Sequence, residues 1–195
     1  RTAELARRMR VESGTDEAFV ESVLAMLNEQ DFYYTLEPPP LGSNPVDRFL
    51  FETRRGFCEH YASAFAVLMR SVGIPTRIVL GYQGGEFNPL GGHLIVRQSD
   101  AHAWTEVWLE GEGWVRVDPT SAVAPERIEQ GIGGSLPSTD PLPGFIRTNS
   151  TLLKQLRYTL EAINNGWNQW VLGYGERTQR ELLARLGIGL DSWKG

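Results

Sequence analysis

The chain has 195 residues, 41% of them hydrophobic, which is enough to bury a core and predicts one domain with an appendage or two small units. Nineteen basic and 24 acidic residues are interleaved and give a net charge of −5, so neither nucleic acid nor an anionic membrane surface is an expected partner. The single cysteine excludes an intramolecular disulfide.

No run of apolar residues approaches the ~18 positions that a membrane-spanning helix needs. The start of the chain, RTAELARRMR, also lacks the apolar core and the cleavage site of a signal peptide. We therefore expect a soluble domain excised from a longer protein.

The N-terminal part predicts a core-packing helix followed by short, irregular elements. From Thr15 to Gln30, apolar residues recur at helical spacing behind the acidic first turn Asp16-Glu17. The stretch DFYYTL is aromatic and β-branched and ends at three prolines. The stretch VDRFLFE predicts a short helix or turn.

The segment RRGFCEHYASAFAVLMRSVGIP predicts a helix that begins near Cys58 and stops at Gly73 and Pro75. Its apolar face is formed by Tyr61, Phe65, Leu68 and Val72. A lone cysteine is most often a small buried hydrophobe. A helix N-terminus, however, favours the thiolate, because its unpaired N–H groups and the helix dipole stabilise negative charge. Cys58 is therefore a candidate nucleophile as well as a candidate core residue.

After Pro75 the apolar pattern changes from helical to alternating. The segments TRIVLGY, HLIVRQ, HAWTEVWL and WVRVD predict strands of an antiparallel sheet, separated by glycine-rich connections. A block of helices followed by a run of strands, without βαβ alternation, predicts an α+β domain with helices on one face of the sheet.

The last third of the chain predicts a linker and a helical tail. Residues 131–149 are rich in glycine, proline and serine, which predicts a catalytic domain at 1–130, a linker or arm at 131–149, and a tail at 150–195. Within the tail, apolar residues alternate spacings of three and four and form one helical stripe: Leu153, Leu156, Leu160, Ile163, Trp167 and Trp170. ERTQRELLARLG predicts another short helix. We expect the tail to pack on the core or on another chain, or to lead to a membrane segment.

A thiol nucleophile needs a base, and the chain has three histidines. His60 lies two residues beyond Cys58 on the same helix, where the two side chains diverge by about 200°. His93 opens a predicted strand, with no downstream residue to orient it. His102 begins another strand and is the best candidate.

Asp118 ends the strand after that of His102, an even number of residues away. A three-residue loop at 109–111, with Gly111 in the left-handed position, would set the two residues directly opposite each other, whereas a four-residue loop would put them on opposite faces. Asp118 would then orient the imidazole. Asp100 competes for this role, although it lies on the same strand as His102. The alternative is that Cys58, His102 and Asp118 are an unrelated core thiol, strand histidine and turn residue.

A zinc site is the weaker interpretation of the same residues. Cys58, His60, His93 and His102 could be ligands, but a Cys-x-His pair on one helix reaches a tetrahedral ion poorly, and the chain has no second cysteine. We expect no metal and no cofactor.

Three segments carry a resemblance to a known family: RRGFCEHYASAFAVLMRSVGIPTRIVLGYQGG, VRQSDAHAWTEVWLEGEGWVRVDPT and AVAPERIEQG. They closely resemble the transglutaminase-like superfamily, and in particular the soluble domain of bacterial membrane proteins. The similarity runs from DFYYTL to Gly131. It implies a papain-like core, with Cys58 as the nucleophile, His102 as the general base and Asp118 as its orienting group. The tail segment NGWNQWVLGYGERTQ is similar to segments that precede a further membrane span.

The chain departs from this family in one respect. Animal transglutaminases have a tryptophan upstream of the cysteine that stabilises the oxyanion, but no tryptophan precedes Trp104 here. Tyr34 is the candidate replacement, acting beside the Cys58 backbone N–H. The chain also has no acidic cluster of the kind that binds calcium, so calcium should be dispensable.

The resemblance implies acyl transfer through a thioester on Cys58, from a glutamine side chain of a protein or peptide to an amine acceptor such as lysine. With water as the acceptor, the same residues would form a deamidase, or a cysteine protease or amidase acting on cell-envelope peptides. A third alternative is an inactive interaction module, against which the complete Cys–His–Asp set argues. The resemblance also implies a periplasmic domain, tethered to the inner membrane by segments outside this chain.

Overall fold

The computed structural model describes residues 1–126 and 151–172, which fall into two compact units. The first unit contains residues 1–85 and 96–126, and the second contains residues 86–95 and 151–172. The predicted linker at 131–149 and the predicted ERTQRELLARLG helix lie outside the described residues. The domain boundaries at 130 and 150 therefore stay predictions.

The first unit begins with four helices: α1 (Thr2–Ser13), α2 (Asp16–Glu29), α3 (Pro45–Arg48) and α4 (Cys58–Ser71). Helix α2 confirms the predicted helix, and its N-cap Thr15 accepts a hydrogen bond from the Ala18 N–H at 3.2 Å. A π-helical turn, Phe49–Thr53, follows α3. Helix α1 forms over a segment for which the sequence predicted no element.

Helix α4 is the buried element of the first unit and confirms the helix predicted from the cysteine segment. Its apolar face is completely buried at Tyr61, Phe65 and Leu68. The helix ends before Gly73, whose φ of 87° is a left-handed conformation that favours glycine.

A three-stranded antiparallel sheet follows, in the order β3–β6–β7. The strands of both units are β1 (Tyr33–Tyr34), β2 (Arg55–Gly56), β3 (Thr76–Tyr82), β4 (Glu86–Asn88), β5 (His93–Ile95), β6 (Ala101–Leu109) and β7 (Gly113–Val117). Strands β1 and β2 pair in parallel, just before α4. The prediction that HLIVRQ belongs to the large sheet is wrong, because β5 pairs with β4 instead.

Alternate residues of β6 pack with α4. Ala103 forms a small buried cluster with Cys58 and Ala62, and Val107 joins the main core with the apolar face of α4. Helices packed on an antiparallel sheet confirm the predicted α+β class. His102, Trp104 and Glu106 alternate with these residues along the strand.

The second unit joins the β4–β5 hairpin to helix α5 (Thr151–Leu172). Glu86 accepts hydrogen bonds from Arg157 at 2.6 Å and from the Tyr158 hydroxyl at 2.5 Å. The Lys154 Nζ atom lies 3.3 Å from Glu86 Oε1. Asn88 is completely buried and donates to the Tyr158 carbonyl at 2.8 Å. These polar contacts join a hairpin and a helix that are far apart in sequence.

Helix α5 carries most of the predicted apolar stripe. Its members in the described part are between 55% and 64% exposed: Leu153, Leu156, Leu160, Ile163 and Trp167. Within residues 1–126 and 151–172, none of the helices combines the length and the hydropathy needed to cross a membrane.

Candidate active site

The start of helix α4 places the candidate nucleophile. Cys58 is the first residue of the helix and is 7% exposed. The N–H of Phe57, just before it, donates to Nδ1 of His60 at 3.4 Å and so ties the chain to the first turn. Burial lowers the pKa of His60, an effect that the nearby Glu59 opposes. His60 therefore supports the helix terminus.

Strands β6 and β7 bring the candidate base and its partner together. His102 Nε2 lies 2.7 Å from Asp118 Oδ2, and the His102 side chain is fully buried. The other oxygen, Asp118 Oδ1, accepts a hydrogen bond from the Thr120 N–H at 3.2 Å. The carboxylate is thus fixed through both oxygen atoms.

The register of this hairpin differs from the predicted one. Leu109 pairs with Gly113, so the loop is at 110–112 rather than 109–111. The same register places Trp104, not His102, opposite Asp118. The prediction of direct opposition is therefore wrong. The position opposite Asp118 differs from the predicted one by two residues, and because this number is even, His102 and Asp118 remain on the same face. Gly111 adopts the predicted left-handed conformation, with φ of 86°.

The second ring nitrogen of His102 is left for the thiol. Within the described residues, Nδ1 is buried and has no hydrogen-bond partner that meets standard geometry. Burial lowers the pKa of His102, but the hydrogen bonds and charges of Asp118 and Cys58 outweigh it and raise the pKa to about 9. The structure therefore brings Cys58, His102 and Asp118 into one interacting group.

The competing residues have other partners. Asp100 Oδ2 accepts a hydrogen bond from the Arg97 N–H at 2.8 Å and closes the turn before β6. His93 belongs to the second unit, where its Nδ1 lies 3.4 Å from Asn165 Nδ2. Among the residues that the structure describes, no three His, Cys, Asp or Glu side chains gather in a way that would hold a metal ion.

Two residues beside this group were not singled out from the sequence. The Trp104 ring stacks on His102 with a centroid distance of 6.2 Å and an angle of 20°. The Arg116 guanidinium lies 4.4 Å from the Trp104 ring centroid and 3.8 Å from Asp118 Oδ2. The sequence could have identified Trp104, because alternate residues of a strand share a face and Trp104 lies two residues after His102.

Gly81 on β3 leaves room for this ring. A Cβ atom at this position would lie 2.8 Å from Cη2 of Trp104, closer than real Cβ contacts allow. The side chain of Trp104 can therefore lie over the neighbouring strand only because residue 81 has no side chain.

A cavity of about 470 Å³ opens in front of Cys58 and His102. Tyr34 lines the same cavity and stacks on Tyr61 with a centroid distance of 6.5 Å. Its other lining residues are Leu36, Phe57, Glu59, Leu80, Gly81, Tyr82, Gln98, Ser99, Ala101 and Ala103. A substrate can therefore reach the thiol along mostly apolar and uncharged walls.

Known proteins are similar to this chain in sequence and in fold. The family model of the transglutaminase-like superfamily matches residues 3–119. A Pseudomonas aeruginosa protein named protein-glutamine gamma-glutamyltransferase is 45% identical over 98% of this chain, which spans only 30% of that protein. The uncharacterized protein YebA of Bacillus subtilis is 41% identical over 108 residues, or 52% of this chain and 15% of that protein.

Two solved structures are also similar, and both are of the periplasmic domain of TgpA from Pseudomonas aeruginosa. One is 52% identical with a TM-score of 0.67, covering 69% of this chain and 47% of that chain. The other, bound to ethylmercury, is 53% identical with a TM-score of 0.65, covering 66% of this chain and 46% of that chain. Since the family model covers more than half of the sequence, this chain belongs to the transglutaminase-like superfamily.

Proposed function

We propose that this chain is a protein-glutamine gamma-glutamyltransferase that transfers the acyl group of a glutamine side chain to a primary amine. Cys58 is the nucleophile, His102 the general acid and base, and Asp118 the group that orients the imidazole. The observation that carries this proposal is the arrangement of His102, which binds Asp118 through Nε2 and leaves Nδ1 for the thiol. The relative with this activity in its name supports the same reaction.

In the first half of the reaction, the Cys58 thiolate attacks the carbonyl carbon of the glutamine carboxamide. The carbon–nitrogen bond then breaks, and the His102 imidazolium gives its Nδ1 proton to the leaving ammonia. The product is a thioester on Cys58 and a neutral His102. A pKa of about 9 supports this order, because it keeps His102 protonated at neutral pH before the attack.

In the second half, a neutral primary amine attacks the thioester carbon. Its surplus proton passes to Nδ1 of His102, the carbon–sulfur bond breaks, and the thiolate–imidazolium pair is restored. Throughout the cycle, Asp118 accepts the Nε2–H and so reserves Nδ1 for proton exchange.

The oxyanion formed in both halves needs hydrogen-bond donors. The Cys58 N–H belongs to the first turn of α4, where no intrahelical acceptor is in reach. We assign the second donor to the Tyr34 hydroxyl, because this side chain lines the cavity beside Cys58.

Water in place of the amine would make the same group a deamidase, or a protease or amidase acting on cell-envelope peptides. These alternatives share every residue of the mechanism, and only the acceptor differs. An inactive interaction module would use none of them.

We also propose that this chain is a periplasmic domain, tethered to the inner membrane by segments outside it. Two observations support this location: both similar structures are periplasmic domains, and the chain corresponds to only 30% of its Pseudomonas relative. A reporter enzyme active only outside the cytoplasm, fused to the full-length protein at this domain, tests the location. A cytoplasmic signal would contradict it.

The reaction is tested by incubating the 195-residue chain with a fluorescent primary amine and a glutamine-rich protein. We expect covalent incorporation of the amine that EDTA does not abolish and that Cys58→Ala eliminates. Ammonia release or peptide cleavage without incorporation would favour a hydrolase. The absence of all three reactions would favour the interaction module.

A further inference from the structure

A carboxylate stands beside the nucleophile, on the wall of the catalytic cavity. Glu59 follows Cys58 in the first turn of α4, is exposed to solvent and lines the cavity. The remaining lining residues are uncharged, apart from the reacting pair Cys58 and His102. Within the described part of the chain, Glu59 has no hydrogen bond or ion pair, so its carboxylate is open to a ligand.

The charge of this cavity favours cations. After acylation, the thioester and the deprotonated His102 are both neutral, so Glu59 leaves the lining with one net negative charge. A cavity lined by charge of one sign raises the local concentration of the oppositely charged ligand. The acceptor is the substrate that arrives at this stage.

Glu59 also borders a second cavity of about 200 Å³. The walls of this second cavity are largely apolar, from Leu41, Pro45, Val46 and Phe49, with His60 and Ser63 completing them. Such a surface suits an aliphatic chain, because the burial of methylene groups away from water is favourable. A carboxylate that lines both this cavity and the one at the thiol therefore matches a molecule with a methylene stem and a terminal ammonium group.

We propose that Glu59 determines acceptor specificity by binding the ammonium group of a lysine-like alkylamine, a conclusion that rests on the proposed transferase function. The bound ammonium loses one proton to solvent as it leaves Glu59. The resulting amine attacks the thioester on Cys58, its second proton passes to Nδ1 of His102, and the thiolate departs. Glu59 takes no part in forming the thioester.

The test compares two acceptors in the wild-type chain and in Glu59→Gln, which keeps the shape of the side chain and removes its charge. Cadaverine is largely protonated near neutral pH, whereas hydroxylamine is small and largely uncharged. We expect KM for cadaverine to rise about three- to fivefold in Glu59→Gln, as for a solvent-exposed ion pair. KM for hydroxylamine should not change. Glu29→Gln, an exposed carboxylate of α2, is the matched control.

The rate of Cys58 alkylation by iodoacetamide is measured in the same variants and should not fall, which shows that the nucleophile is intact. An equal change in KM for both acceptors, or no change for either, would overturn the role of Glu59 while leaving the transferase function in place. If the wild-type chain transfers to neither acceptor, the transferase function fails and this inference fails with it.

Discussion

Asp118, the first residue after β7, binds His102 diagonally, because the ladder pairs Thr105 with Val117 and its continuation would place Trp104 opposite Asp118. Diagonal neighbours in a sheet lie farther apart than direct pairs, so both side chains must lean toward each other to reach 2.7 Å. The second carboxylate oxygen is held by the Thr120 N–H beyond the strand. This bond keeps the carboxylate turned toward the imidazole.

The first prediction separates the charge of Asp118 from its hydrogen bond to the turn. Asp118→Asn retains an oxygen for the Thr120 N–H, but its amide cannot stabilise the His102 imidazolium. We expect the rate of acyl transfer to fall by about 10²- to 10⁴-fold. The variant should still fold, but its melting temperature at neutral pH should fall, because the His102 imidazolium loses its charged partner. Turnover and thermal unfolding should be measured on the same preparations.

Asp100→Asn is the matched control, because the Asp100 carboxylate closes only its own turn. We expect this variant to retain most of its activity. If Asp100→Asn were as inactive as Cys58→Ala, with Asp118→Asn near wild type, the proposed triad would be wrong.

The second prediction concerns the pH dependence of stability. The pKa of His102 is raised from 6.5 to about 9, so the folded protein stabilises its charged form. This contribution to the free energy of unfolding is complete below pH 6.5 and is lost as the pH rises through about 9. Urea unfolding across this range should show the wild type losing stability relative to His102→Gln. Parallel curves for the two proteins would contradict the raised pKa.

The third prediction tests the stack of Trp104 on His102. In Gly81→Ala, the new methyl group would lie 2.8 Å from the indole, which is rigid and must move away. We expect kcat to fall about three- to tenfold, because the imidazole loses a wall that positions it. The smaller ring of Trp104→Phe should restore part of this activity when combined with Gly81→Ala. No rescue in the double variant would show that residue 81 acts in another way.

The fourth prediction concerns the oxyanion. Tyr34→Phe removes one hydroxyl and keeps the ring that stacks on Tyr61. We expect kcat to fall about 10²-fold with little change in KM, as for the loss of an oxyanion donor. Tyr33→Phe, at the neighbouring and exposed position, is the control and should behave like the wild type. Equal activity of the two variants would remove Tyr34 from the mechanism.

The sequence predicted those features of the fold that depend on local periodicity. Helix α4 and the side of the sheet that carries His102 follow from spacing alone, because periods of 3.6 and 2 define faces. Spacing could not predict the pairing within the hairpin. Gly111 and Gly113 both adopt positive φ, and the sequence around them allows the turn at either of two positions.

The sequence also could not assign strand β5 to its partner. The segment around His93 alternates like the strands of the large sheet, but pairing depends on distant residues that no local pattern contains. Glu86 and Asn88 fix the β4–β5 hairpin to α5 through Tyr158 and its neighbours, more than 60 positions along the chain. The tertiary partners, not the alternation, decided which strands pair.

The location of the single thiol at the first residue of α4 makes the protein a reporter of its own refolding. Contacts within α4 are local and form early, whereas His102 reaches the thiol only after β6 has docked on the helix. The reactivity of the sulfur should therefore change at the moment of docking. Brief pulses of an alkylating reagent during dilution from urea, followed by mass spectrometry, would time that event without a dye or an engineered label, since only one site can react.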